Sequence, residues 1–138
     1  MRTTALSITE NVSLSSIGPL RRAAASAAAE AGADDELVSS IRLCVSEALA
    51  NAVVHAYAGD TGVVELVVEL DDDLLVVTVR DEGRGLAGHP DGLGEGGYGL
   101  EIIRKLTESV TFTSDFGRGS EICMRFARGS GRDGLPAL

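Results

Sequence analysis

The chain predicts an α+β two-layer sandwich, a mixed but mostly antiparallel sheet covered on one face by helices. Three observations carry this. Two long helical patterns come early, an apolar hairpin follows them, and a shorter helix with a second hairpin closes the order. Three helices and five strands would then share one core.

Residues 3–9 alternate enough for a short strand, with Leu6 and Ile8 on one face. Ser13 can cap a helix whose apolar positions Leu14, Ile17, Leu20, Ala24, Ala28 and Ala31 follow helical spacing. Pro19 lies inside that pattern, so the helix starts near it or bends there. Gly32 ends it, and Asp34 or Asp35 begins a second helix that runs to about Tyr57. Its buried stripe would use Leu37, Ile41, Cys44, Ala48 and Ala52. A turn at residues 59–62 leads into strands at 63–70 and 74–80, joined by Asp71-Asp72-Asp73 as a hairpin. Residues 83–99 are rich in glycine and favour no regular structure, whereas residues 100–106 return to a helical pattern. Strands at 110–113 and 120–126 complete the fold. Residues 1–128 read as one domain and 129–138 as a loose tail.

The 138 residues suffice for one two-layer core and leave no room for a second catalytic domain. A net charge of -9 argues against direct nucleic-acid binding, because phosphate backbones need a basic surface. No run reads as long and apolar enough to span a bilayer, and the N-terminus lacks a basic-then-apolar signal pattern, so no membrane role is expected. Cys44 and Cys123 lack metal-type spacing and read as thiols of a cytoplasmic protein rather than a disulfide.

Three short constellations could carry chemistry. Glu47 and Asn51 stand one helical turn apart among alanines and leucines, so both point the same way. The Asn51 amide oxygen suits a hard cation such as magnesium, and Glu47 could orient or deprotonate a nucleophile near it. The same pair could equally be satisfied by backbone groups at a helix–loop junction. His55, two turns beyond Glu47, reads as a packing or dipole-compensating residue.

Asp81 ends an apolar strand and opens Asp81-Glu82-Gly83-Arg84-Gly85. A carboxylate there could accept a hydrogen bond from an exocyclic amine such as that of adenine, with the glycines admitting a ring close to the backbone. An ordinary Asp-Gly turn would look the same. Gly92 to Gly99 precede a helix and could turn backbone amides towards phosphates. That segment is neither a Walker loop nor a dinucleotide fingerprint. The wider loop holds Asp91 and Glu95, and no Lys or Arg occurs between Arg84 and Arg104. Magnesium and amides would have to offset the phosphate charge.

In order, Glu47-x3-Asn51-x3-His55, Asp81-x-Gly83-x-Gly85, Gly97-x-Gly99-Leu100 and Gly117-x-Gly119-Ser120 resemble the GHKL ATPase/kinase superfamily with its Bergerat ATP-binding fold. Within it the chain is similar to the RsbW/SpoIIAB-type anti-sigma factor serine/threonine kinases over roughly residues 5–127. The resemblance implies Asn51 as magnesium ligand, Glu47 as general base and Asp81 on the adenine amine. It implies Gly83 and Gly85 shaping the base pocket, Gly97 and Gly99 meeting the phosphates, and the Ser120 hydroxyl supporting Asp81. Arg21 matches a helix-1 position on the family's partner-facing surface. ATP and magnesium are the implied cofactors. A sigma factor, a STAS-type antagonist and a homodimer are the implied partners. Residues 86–96 are short and acidic for that family's ATP lid, and Ser120 stands where Thr is common. A nucleotide-gated binding module with little transfer activity therefore stands beside the kinase as a second expectation.

Overall fold

Ser13 begins the helical layer. Its backbone N–H donates to Ser16 Oγ at 3.0 Å, and the Ser16 N–H returns to the Ser13 carbonyl at 3.0 Å. Residues 14–16 form a 3-10 turn, so the first helix, α1 (Ile17–Glu30), starts one turn late. Pro19 falls in its first turn, where a missing N–H costs nothing. Leu14, expected in the buried stripe, is instead 64 % exposed because it belongs to the turn and not to the helix. Gly32 adopts a positive φ of 104° and closes α1 as a Schellman motif: Ala33 N–H donates to Ala28 and Gly32 N–H to Ala29, both at 3.0 Å. Asp34 then caps α2 (Asp35–Asn51), accepting from the Leu37 N–H at 2.8 Å.

The computed structural model describes residues 2–56, 61–82, 98–115 and 119–128. Beyond the two long helices it contains β1 (Arg2–Val12), β2 (Gly62–Asp71), β3 (Leu74–Asp81), α3 (Tyr98–Leu106), β4 (Ser109–Asp115) and β5 (Gly119–Ala127). The strands form one sheet in the order β1-β2-β3-β5-β4. Every pairing among the described residues is antiparallel, so the sheet there is purely antiparallel rather than mixed. After β3 the chain passes through α3 to the β4 edge and returns as β5 beside β3.

One face of the sheet is covered by the helices. Val64, Leu66 and Val68 of β2, Leu75, Val77 and Val79 of β3, and Ile122, Met124 and Phe126 of β5 point into it. From the helices, Leu20, Ile41, Cys44, Val45, Leu49 and Ile103 meet them in a single core. The α2 stripe is wider than the sequence reading, because Val45 and Leu49 are buried beside Ile41, Cys44 and Ala48. The helical run Asp35–Val54 meets by length and composition what a membrane crossing requires, contrary to the sequence reading. Ile41, Cys44, Val45, Ala48, Leu49 and Val53 of that run line the protein's own core, while Leu43 and Val54 are exposed. Both cysteines are free thiols. Cys44 is buried in that core, and Cys123 is half-buried on the opposite face of the sheet.

Candidate functional site

The inward row of β3, Leu75, Val77 and Val79, continues by strict alternation to Asp81. The inward row of β5 likewise runs back from Phe126 through Met124 and Ile122 to Ser120. The two polar residues therefore end two apolar rows, and they are direct cross-strand partners. Asp81 is 6 % exposed, the one buried charged side chain among the described residues. Ser120 Oγ donates to its Oδ2 at 2.6 Å and the Ser120 N–H donates to Oδ1 at 3.2 Å. A carboxylate withdrawn from water needs such donors.

Gly119 makes this approach feasible. Its φ is 122°, and a Cβ on it would stand 2.2 Å from the Asp81 carbonyl oxygen. On the opposite face, Arg80 Nη2 meets Glu121 Oε1 at 2.9 Å, so the same pair of strands is also held from outside.

Glu47 and Asn51 lie at the C-terminal end of α2, half-buried and one turn apart. A π-turn, Ala52–Ala56, follows directly. Such turns break the regular i→i+4 ladder and gather at functional sites. Nothing in Ala52-Val53-Val54 announces it. His55 lies within the turn, with its side chain outside the described residues. α2 packs on both β3 and α3, and the π-turn also packs on β3. The Glu47 carboxylate reaches the first turn of α3: a Cβ built on Gly99 would meet Glu47 Oε1 at 2.8 Å. Cys44, one turn before Glu47 on the core side, is pushed up to about 12 by burial and then by the Glu47 charge. It is a packed thiol and not a nucleophile.

Asn51 bears on the metal that the resemblance implies. Its Nδ2 is buried and has no hydrogen-bond partner among the described residues. A half-turn about the Cβ–Cγ bond exchanges the two ends of the amide and presents an oxygen at the same spot. A side chain with unfilled polar capacity fits a hydrated magnesium ion, which binds few protein oxygens and keeps several waters. No cluster of three His, Cys, Asp or Glu that could hold a metal occurs among the described residues.

Arg21 is placed against α2. Its Nη1 donates to Ser46 Oγ at 3.4 Å, its Nε is buried without a partner among the described residues, and Ser46 immediately precedes Glu47. Gly83, Gly85 and Gly97, residues 86–96 and the tail 129–138 lie outside the described residues. Of the expected site, then, Asp81 and Ser120 stand in direct contact, as do Glu47 and Gly99. The fit of Gly119 against Asp81, the π-turn and the Glu47–Gly99 contact are new. Only glycine's presence before Ser120 hinted at the first.

Comparison with known proteins agrees with this fold. The family described as Histidine kinase-like ATPase domain matches residues 11–126. An anti-sigma F factor of Clostridium acetobutylicum is 30% identical over 112 residues, covering 73% of this chain and 78% of the relative. The serine-protein kinase RsbW of Staphylococcus epidermidis is 32% identical over 103 residues, 63% of this chain and 65% of that one. Among solved structures, the RsbU and RsbW domains of a Mycobacterium tuberculosis protein superpose with a TM-score of 0.67 at 21% identity. That match covers 89% of this chain and 32% of the other, so the chain spans about a third of it and the likeness is one of fold. The histidine kinase domain of a blue-light activated kinase from Erythrobacter litoralis gives a TM-score of 0.58 at 25% identity, covering 86% of this chain. With the profile match spanning nearly the whole described fold, the chain belongs to the histidine kinase-like ATPase domain family.

Proposed function

We propose that this chain is an ATP-dependent serine/threonine protein kinase and anti-sigma factor. It phosphorylates an anti-sigma factor antagonist, a small STAS-type protein, and sequesters a sigma factor in its alternative state. The observation that carries the reading is the Glu47 carboxylate at the first turn of α3, one helical turn from the half-buried Asn51 amide. The names of the relatives, anti-sigma F factor and serine-protein kinase RsbW, support the same reading.

Each residue has a share of the work. Asp81 accepts from the adenine amine, and the two Ser120 donors fix the direction in which its oxygens face. Gly83 and Gly85 border the base, and Gly97 and Gly99 offer amides to the phosphates. Glu47 takes the proton of the attacking Ser or Thr hydroxyl. Asn51 would hold magnesium, which supplies charge neutralisation at the transferring phosphates. Phosphoryl transfer asks mostly for positioning and charge stabilisation, so this small set suffices. The partners are proteins, the compartment is the cytoplasm, and self-association as a homodimer belongs to the reading. Arg21 lies on the partner-facing side.

Incubation with γ-labelled ATP, magnesium and candidate antagonists tests it. Label should appear on an antagonist Ser or Thr and vanish with EDTA. Nucleotide binding without transfer to any antagonist would instead leave the nucleotide-gated module, a reading that the acidic residues 91 and 95 favour.

A further inference from the structure

Gly99 is the second residue of α3, a position where glycine is a poor choice. Its φ lies outside the left-handed region, so the backbone does not require it. Helix propensity favours Ala over Gly at such a site. An amide offered to a phosphate would be present with either residue. A local choice that opposes its own secondary structure calls for a reason elsewhere.

The reason lies on α2. A Cβ on Gly99 would meet Glu47 Oε1 at 2.8 Å, Glu47 Cβ at 3.5 Å and Glu47 Cδ at 3.7 Å. The two carbon contacts are ordinary van der Waals distances, and the oxygen contact is too short to stand. All three atoms belong to one side chain. We propose that Gly99 is the positioning residue of the Glu47 carboxylate: the space that a side chain at 99 would occupy is the space that the carboxylate fills. The proposal rests on the kinase reading of Glu47 and deepens it.

The consequence separates stability from chemistry. The clashing atom is the far end of a flexible side chain, so the fold accepts Ala at 99 by swinging the carboxylate away. Relief to ordinary contact needs a retreat of about half an ångström or more. In the transfer step the hydroxyl proton passes to Glu47 and the hydroxyl oxygen bonds to the γ-phosphorus. The bond from that phosphorus to the β–γ bridging oxygen breaks, its electron pair leaving on ADP. A base displaced from the hydroxyl slows that step without loosening the nucleotide.

The test compares Gly99→Ala, Glu47→Asp, the double variant and Glu47→Gln. It reads melting temperature, ATP affinity by calorimetry, transfer rate at saturating ATP, and the NMR shift of the Glu47 side-chain carboxyl carbon. Gly99→Ala should melt no lower than the parent, bind ATP within about threefold, and transfer roughly 10- to 100-fold more slowly. Its Glu47 carboxyl resonance should move. In the Glu47→Asp background, where the carboxylate is drawn back by one methylene, adding Gly99→Ala should cost little. An unmoved resonance, parental transfer by Gly99→Ala, or transfer lost in step with ATP affinity would each overturn the proposal. Failure of Glu47 as the base is distinguishable: it is parental transfer by Glu47→Gln. If no antagonist accepts phosphate, the carboxyl resonance alone decides the positioning.

Discussion

The Asp81 carboxylate and the Asn51 amide nitrogen are both buried, yet they are treated differently by their surroundings. Asp81 receives two hydrogen bonds from Ser120 across the β3–β5 pair, and the Gly119 backbone is folded tightly beneath it. The Asn51 amide nitrogen is buried without a partner among the described residues, and a π-turn interrupts the helix directly after it. One end of the site is complete within the protein, and the other has polar capacity left over. This is the division that base recognition and phosphate chemistry would call for. An acceptor that selects a base should be fixed beforehand, whereas groups that meet a metal and moving phosphates must be available to them.

The largest effect should come from the less complete end. Glu47→Gln keeps the size of the side chain and removes its basicity. Transfer should fall by about 10²- to 10⁴-fold while nucleotide affinity and melting temperature hold. A variant that melts early yet transfers normally per folded molecule would make Glu47 a structural residue and erase the contrast.

Gly119→Ala probes the completed end. It adds a Cβ 2.2 Å from a backbone oxygen at a φ of 122°, and neither atom belongs to a flexible side chain. A loss of roughly 2–4 kcal/mol of stability is expected, read by denaturant unfolding, with nucleotide binding weakened alongside. The same substitution at Gly99 should leave stability intact or raise it. Equal destabilisation at both positions would mean that the two ends are built alike.

Asp81→Asn asks whether the fixed end reads the base. Asn can donate where the carboxylate only accepts, so ATP affinity should fall by about tenfold and the preference over GTP should narrow. An unchanged ATP/GTP ratio would move the base away from Asp81.

How much of this could be read from the chain follows from the range of each signal. Period-two and helical patterning reflect a buried face, and they located the five strands and three α-helices found among the described residues. They misplace ends. β1 runs on past residue 9 to Val12, and its added residues Glu10 and Asn11 are exposed while paired with β2. Leu14 has the right spacing for α1 but stands outside it. The partnership of Asp81 with Ser120 spans 39 residues and is invisible to any local pattern. It entered through resemblance to a family. The Gly119 and Gly99 contacts depend on sub-ångström fit between elements distant in sequence, and composition records only that a glycine is there.

The smallest effect concerns Cys44, one turn before Glu47 and fully buried. Its thiol is pushed up to about 12 from 9.0, first by burial and then by the neighbouring carboxylate. Folding therefore holds the proton that the unfolded chain releases above pH 9.0, so this contribution to stability is present below that pH. Between pH 9.0 and about 12 the unfolded state binds fewer protons, and stability declines as pH rises. Cys44→Ala loses some packing at every pH but lacks this titration. Under reducing conditions, the stability gap between parent and Cys44→Ala should therefore shrink as pH climbs past 9. Glu47→Gln in the parent should lower the thiol's folded pKa and soften the decline, because the neighbouring negative charge is gone. A gap that stays constant to pH 11 would mean that the thiol titrates alike in both states. The α2 end would then be open to water as far down as Cys44, and its unfilled polar capacity would be met by solvent rather than kept for a ligand.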